Sequence, residues 1–148
     1  MIAVWIVIGM ALAAVAIIWL YRKKKKSAVL SMDEMEGHDF ECYCAELLED
    51  VGFTDVELMK ASGDFGADIL AQKEGVTYAV QCKCYESTVG VHAVEEVYAG
   101  KAFYDRMVGA VMTNQYFTKP AKECAQKLKI LLWDRDVVMA WEEDRRSR

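Results

Sequence analysis

The sequence predicts an α/β sandwich with covered strands, carried behind a single membrane-spanning helix. Three observations lead there. Residues 2–20 hold no charged side chain and are followed at once by five basic residues, 22–26. After residue 38, amphipathic helical stretches alternate with short, almost continuous apolar runs, the pattern of strands buried on both faces. Two of those runs, residues 67–71 and 76–82, flank Glu74-Gly75 and read as a β-hairpin.

Each element has its own signal. As a helix, residues 2–20 would span about 28 Å, which matches a hydrocarbon core of about 30 Å. Trp5, Trp19 and Tyr21 stand near its ends, at headgroup level. A cleaved signal peptide would carry its positive charge before the apolar run. Cutting within the Ala-rich stretch 11–16 would leave residues 17–20 exposed. The basic run after the helix places the carboxyl side in the cytoplasm, so the expectation is a single-pass protein of the inner, cytoplasmic membrane. That run, Arg22 and Lys23 to Lys26, suits anionic lipid, with contact to nucleic acid as the alternative. The organisation predicted is a transmembrane helix at 1–21, a basic segment and linker at 22–35, a folded domain at 36–138 and a charged tail at 139–148.

Within the domain, Phe40, Cys44, Leu47, Leu48 and Val51 recur at helical spacing over 39–51, and Gly52 supplies the stop. Glu41 borders that stripe; it faces either solvent in the first turn, favoured by the helix dipole, or the sheet. A short strand is expected at 55–59. Residues 62–66 form a turn cluster whose two glycines let the chain bend just before Asp68. Asp64 is there either as a second acid or as an Asx-type turn former. Helix 91–106 turns Ala93, Val97, Gly100 and Tyr104 inward. A mid-helix glycine costs about 1 kcal/mol against alanine, so Gly100 signals close backbone packing. A buried strand at 109–113 follows, then a helix capped by Thr118 with Pro120 in its first turn, and a last strand at 130–133.

The chain has 148 residues with 18 Lys and Arg against 23 Asp and Glu. Five of the basic residues lie in 22–26 and every acidic residue follows position 32, so the soluble part carries a net charge near −10. Residues 31–100 hold 16 acidic and 3 basic side chains; residues 101–148 hold 7 and 10. A nucleic-acid binder is normally basic, which counts against tight unaided binding and leaves a basic carboxyl-terminal face. The five cysteines, an odd number on a cytoplasmic chain, argue against a disulfide framework. Two Cys-x-Cys pairs invite a zinc reading. However, Cys42 and Cys44 do not share a helix face, and Cys82 and Cys84 read as buried core residues opposite Gln81 and Lys83.

The hairpin carries the chemistry. A two- or four-residue turn sets Asp68 opposite Gln81, with Lys83 two places further on the same face. Opposed residues have Cβ atoms roughly 4.5–5.5 Å apart. A carboxylate, an amide oxygen and an ammonium then meet at one sheet edge, the outline of a site for metal-assisted hydrolysis with a hard cation. The same alternation describes the wet face of an ordinary strand, and an odd-length turn would separate the residues. Lys119 and Lys122, at the start of the Thr118 helix, fit either a phosphate oxygen or a solvated helix face.

The residues Gly63-Asp64-Phe65-Gly66-Ala67-Asp68-Ile69-Leu70, followed by Tyr78-Ala79-Val80-Gln81-Cys82-Lys83-Cys84-Tyr85, resemble the Mrr-like restriction endonuclease family of the PD-(D/E)XK nuclease superfamily. Asp39-Phe40-Glu41, Ala45-Glu46-Leu47-Leu48, Gly52-Phe53, Met112-Thr113-Asn114, Phe117-Thr118 and Lys119-Pro120-Ala121 extend the likeness over 36–134. The resemblance implies a restriction-endonuclease-like mixed β-sheet flanked by helices. It also implies Mg²⁺- or Mn²⁺-dependent endonuclease cleavage of DNA, with defence against foreign or modified DNA as a setting and a homodimer as one way to cut both strands. Asp68 matches the metal-binding aspartate and Lys83 the catalytic lysine. Gln81 stands where Asp or Glu is usual, and Glu41 matches the acid of the first helix. The implied metal set is Asp68, Gln81, the Cys82 carbonyl and Glu41. Cys82 and Cys84 depart from the pattern without touching its chemistry. The rival readings are a nucleic-acid-binding module without cleavage and a membrane-anchored interaction module.

The anchor predicts that the full-length protein stays with the membrane pellet through alkaline extraction and that external protease leaves the domain intact. Release into the supernatant contradicts the anchor; digestion from outside contradicts the orientation.

Overall fold

The computed structural model describes residues 31–60 and 65–148. The expected transmembrane helix at 1–21, the basic run 22–26 and Asp64 lie outside the described residues, and among the described residues no helix is long and apolar enough to cross a membrane.

The elements, in order, are α1 (Gly37–Asp50), β1 (Thr54–Leu58), β2 (Ile69–Lys73), β3 (Val76–Lys83), α2 (Val91–Phe103), β4 (Val108–Thr113), α3 (Lys119–Leu128), β5 (Ile130–Trp133) and α4 (Arg135–Ser147). The five strands form one sheet in chain order. β1, β2 and β3 pair antiparallel, whereas β3, β4 and β5 run parallel. The sheet is therefore mixed, as the resemblance implied. β2 and β3 are joined by a short turn and the parallel strands by the helical crossovers α2 and α3, since parallel neighbours cannot be joined by a hairpin.

The hairpin register follows from its turn. Lys73 faces Val76 and Ile69 faces Val80, leaving Glu74 and Gly75 as the two-residue loop. Both have positive φ, 51° and 81°, the type I′ backbone whose twist matches the strands it joins. β2 begins at Ile69, two residues later than the apolar run suggested. Asp68 precedes it in extended pairing: its N–H donates to the Val80 carbonyl at 2.8 Å and its carbonyl accepts from the Met59 N–H at 2.8 Å. Asp68 is thus fastened on both sides.

Alternation along the strands builds two cores. On one face Ile69, Ala71, Val80, Cys82, Ala110 and Met112 pack with Phe40, Cys44, Leu47 and Leu48 of α1 and with Val138 of α4. On the other face Leu70, Ala79 and Val111 pack beneath Ala93, Val94 and Val97 of α2 and Ala121 and Ala125 of α3. The result is a sheet with helices on both faces, the solution expected when a parallel segment must hide both sides.

Residues 139–148, expected as a charged tail, instead continue α4 to Ser147. Val137, Val138 and Trp141 lie on its inner side, and the Trp141 ring sits 5.1 Å from that of Trp133. Arg145 reaches Asp50 at 2.9 Å and Glu142 accepts from the Tyr43 hydroxyl at 3.2 Å, so the polar residues of this helix also grip α1.

Gly66 and Gly100 set the distance between α2 and the sheet. A Cβ on Gly100 would lie 2.6 Å from the Gly66 carbonyl oxygen, and a Cβ on Gly66 would collide with the carbonyl oxygen of Glu96. Gly66 also has φ +92°, which side chains rarely adopt. Gly66→Ala should lower stability by about 2–4 kcal/mol, measured as urea unfolding of the purified chain by circular dichroism. Gly37→Ala, where nothing lies within 4 Å, should stay within about 0.5 kcal/mol of the parent. Equal effects would contradict the close-packing account.

Candidate active site

Asp68 and Gln81 are buried polar residues within an apolar sheet, with exposures of 6 % and 5 %. Buried polar groups need partners, and these two satisfy each other. Asp68 Oδ2 accepts from Gln81 Nε2 and, at 2.6 Å, from the Cys82 backbone N–H. That main-chain donor lies past Val80, where β3 outruns β2. The side chain of Asp68 therefore completes the ladder that the backbone of β2 leaves unfinished.

Lys83 follows on the same face and closes β3, opposite Thr113 of β4. Its Nζ sits 2.6 Å from Glu96 Oε2 on α2, both side chains being largely buried. Burial alone would lower the Lys83 pKa; the Glu96 carboxylate outweighs it and, with Tyr85 and Asp68, raises it. The ammonium is thereby kept charged at neutral pH. Just beyond, Asn114 is 2 % exposed and clamps Tyr85, accepting its N–H at 2.9 Å and donating to its carbonyl at 3.0 Å. Its Nδ2 also reaches Asp33, which Arg135 holds through two 2.7 Å contacts. The segment leading into α1 is tied by this network to the carboxyl end of β3.

Glu41 lies on α1, across the sheet from Lys83, with Oε2 3.2 Å from His38 Nδ1. Its charge nevertheless bears on the sheet end. The Cys82 thiol is pushed well up by its hydrogen bond to Cys44, by burial, and by the charges of Asp68 and Glu41. The two carboxylates thus act on Cys82 together. Cys82 and Cys44 are buried in the α1 face, and all five cysteines are free thiols. Cys84 donates weakly to the carbonyls of Met35 and Met32, at 3.3 and 3.5 Å.

Lys119 and Lys122 occupy the exposed first turn of α3, where Thr118 Oγ1 accepts from the Ala121 N–H at 3.3 Å. The α3 amino terminus follows the end of β4, at the same sheet edge as Lys83. The carboxyl edge of parallel strands is where open α/β sheets bind ligands. Lys119 is otherwise engaged only loosely, 3.9 Å from Glu123.

The residues fit a hard divalent cation in the nature of their donors: a carboxylate, an adjacent amide and the main-chain carbonyl of Cys82. Among the described residues no group of three or more His, Cys, Asp or Glu side chains gathers for a metal. A metal at this edge would therefore draw on the amide and main-chain oxygens as well as on carboxylates. The amide of Gln81 now turns its nitrogen to Asp68. Its oxygen would face a cation after rotation of the terminal torsion, which has a broad, two-fold profile.

Asp68, Gln81 and Lys83 are brought together as the hairpin predicted. Two residues of the site had no role in the sequence reading. Glu96 lies three residues after Ala93 and four before Gly100, on the inner stripe of α2, and a carboxylate at that spacing was its signal. Asn114 was signalled only by its place in the Met112-Thr113-Asn114 likeness, which gave it no role.

A mixed sheet of five strands between helices, with an acid, an amide and a lysine at the end of its central hairpin, defines a restriction-endonuclease-like domain. The profile of the Mrr_cat restriction endonuclease family matches residues 32–141, and the chain belongs to that family. No curated protein matches the sequence. Among solved structures, AF1548, a protein of unknown function, aligns at TM-score 0.58 and 20% identity over 70% of this chain and 65% of its own. The MspJI restriction endonuclease in complex with a 27-mer oligonucleotide aligns at TM-score 0.55 and 20% identity, over 69% of this chain and 26% of its own. The DNA modification-dependent restriction endonuclease AspBHI aligns at 0.51 and 19%, over 69% and 30%. The chain spans less than a third of either restriction endonuclease, and the likeness is one of fold.

Gln81→Glu should set a second carboxylate against Asp68. Without divalent metal, the thermal midpoint should fall by roughly 8 °C, for a like-charge cost on the order of 2 kcal/mol. Saturating Mg²⁺ or Mn²⁺ should raise the midpoint of this variant more than that of the parent. An equal rise in both would mean that position 81 does not face the cation.

Proposed function

We propose that this chain is a divalent-metal-dependent endonuclease that hydrolyses DNA phosphodiester bonds. The observation that carries the reading is the pairing of Asp68 with Gln81 at a sheet end where Lys83 closes β3 with its ammonium against Glu96. Asp68, the Gln81 amide oxygen and the Cys82 carbonyl would hold Mg²⁺ or Mn²⁺, with Glu41 completing the set from α1. The ion, when bound, supplies charge neutralisation at the phosphate and at the leaving oxygen.

The chain's own residues do the rest. Lys83 orients a water for in-line attack and stabilises charge that develops on the phosphate oxygens, the kind of preorganised electrostatic contribution that dominates many active sites. Asp68 stays in place because both its backbone and its carboxylate are hydrogen-bonded. Asn114 keeps the chain after Lys83 in line with β3. Lys119 and Lys122 grip the nucleic-acid backbone without reading bases. We further propose that residues 1–21 anchor the enzyme in the cytoplasmic membrane with the nuclease domain inside. Defence against foreign or modified DNA is the setting we favour, since two proteins of similar fold are restriction endonucleases, one of them modification-dependent.

The test uses the full-length protein in detergent micelles with supercoiled plasmid. Nicked and linear products are expected with Mg²⁺ or Mn²⁺ and none with a chelator. Lys83→Ala should lose about 10²–10³-fold in cleavage rate and hold DNA as well as the parent. Lys119→Ala and Lys122→Ala should each lower the salt slope of binding by about one unit. Full cleavage by folded Lys83→Ala, or a parent that cuts nothing, would overturn the reading.

A further inference from the structure

The partner of Lys83 lies outside the hairpin, and its placement is enforced by the fold. Glu96 projects from the middle of α2, with Oε2 2.6 Å from Lys83 Nζ. The exposures are 16% for the lysine side chain and 29% for the glutamate, so water screens the pair only in part. The other oxygen, Oε1, is 3.3 Å from Nε2 of His92, one turn earlier and 82% exposed. Glu96 therefore bridges an inward ammonium and an outward imidazole.

The backbone beneath Glu96 is the segment of α2 that touches the turn before Asp68. The carbonyl of Glu96 occupies the space where a Gly66 side chain would be, and Gly100, four residues on, abuts Gly66 from the same helix face. The glycine contact that brings α2 against the start of β2 thus also places Glu96 over the end of β3. Asp68 and Glu96 are thus referred to one another through Gly66.

We propose that Glu96 is a positioning residue for the nuclease reaction, acting through Lys83: it fixes the direction of the ammonium that must meet the water and the phosphate. A lysine has four rotatable carbons and no preferred fork geometry. Untethered at a sheet edge, it would spread over several rotamers, and a misplacement of about 1 Å at a reacting group can cost on the order of 10²-fold in rate. Glu96 removes that freedom at a point where the helix backbone cannot retreat. Glu95, its neighbour, is 60% exposed and 3.7 Å from His92 Nδ1, and has no such target.

This inference rests on the nuclease reading above, and the experiment separates the two. Plasmid cleavage by full-length parent, Glu96→Gln, Glu96→Asp and Glu95→Gln is measured in detergent with Mn²⁺. Glu96→Gln should lose about 10–100-fold in kcat with KM for DNA within twofold. Glu96→Asp, which keeps the charge, should retain more activity than Glu96→Gln, and Glu95→Gln should match the parent. A second readout needs no catalysis: urea midpoints for Glu96→Gln, Lys83→Met and the double variant. The double variant should lose less than the two single losses combined, because each single change leaves the other group without its partner. Parent-like cleavage by Glu96→Gln, a loss expressed in KM alone, or additive urea midpoints would overturn the positioning role while leaving the nuclease reading intact. A parent that cuts no DNA overturns the nuclease reading and the role with it.

Discussion

The two-residue turn at Glu74-Gly75 fixes β2 against β3, and this register decides which side chains share a face. Side chains alternate with a period of two, so a slip of one residue would bring Val80 and Cys82 under α2 and send Gln81 and Lys83 into the apolar layer beneath α1. The turn is only one restraint. Asp68 is tied through its own backbone to Val80 on one side and Met59 on the other, and β4 pairs Gln81 with Val111 and Lys83 with Thr113. Asn114 extends the same alignment to Tyr85 by side-chain hydrogen bonds. Register is therefore specified at both ends of the strand that carries the site.

The polar groups at this end are tolerated because each has a partner. An isolated buried carboxylate or amide would cost several kcal/mol. Asp68 has the Cys82 N–H and the Gln81 amide, and Lys83 has Glu96. Below them both layers are apolar to the far end of the sheet. This division is an oily sheet ending in a hydrogen-bonded polar cluster. The domain as a whole carries about ten net negative charges. DNA is repelled by such a field only within a Debye length, about 8–10 Å at moderate ionic strength. Local positive groups at the carboxyl edge can therefore act against it once the duplex is close, and the surplus of basic residues after Gly100 lies in the half of the chain that builds α3 and α4.

The hairpin was legible because strict alternation and a Glu-Gly turn signal act over adjacent residues. The helices α1 and α2 were legible from their apolar stripes, and Gly100 announced the close approach that Gly66 completes. Glu96 was missed because its meaning depends on which strand α2 crosses, a relation between residues 13 apart that periodicity within either element does not contain. The tail expected at 139–148 belongs to α4, whose apolar stripe, Val137, Val138 and Trp141, ends among six charged residues from Glu142 to Arg148 interrupted only by Ser147. It is ordered by Trp133 and α1, both distant in sequence. Glu41 occupies a position of a different kind: it comes from α1 rather than from the hairpin, its carboxylate lies beside His38, and its charge acts with that of Asp68 on Cys82.

The central claim is that Asp68 and Gln81 form the cation-binding pair of the site. The most direct measurement is a crystal structure of the Lys83→Ala variant soaked in Mn²⁺, with data collected to locate the metal by anomalous scattering. The account predicts a peak at coordination distance from the Asp68 carboxylate, with the Gln81 amide turned so that its oxygen faces the ion. Mn²⁺ bound elsewhere, with the Gln81 nitrogen still donating to Asp68, would contradict it.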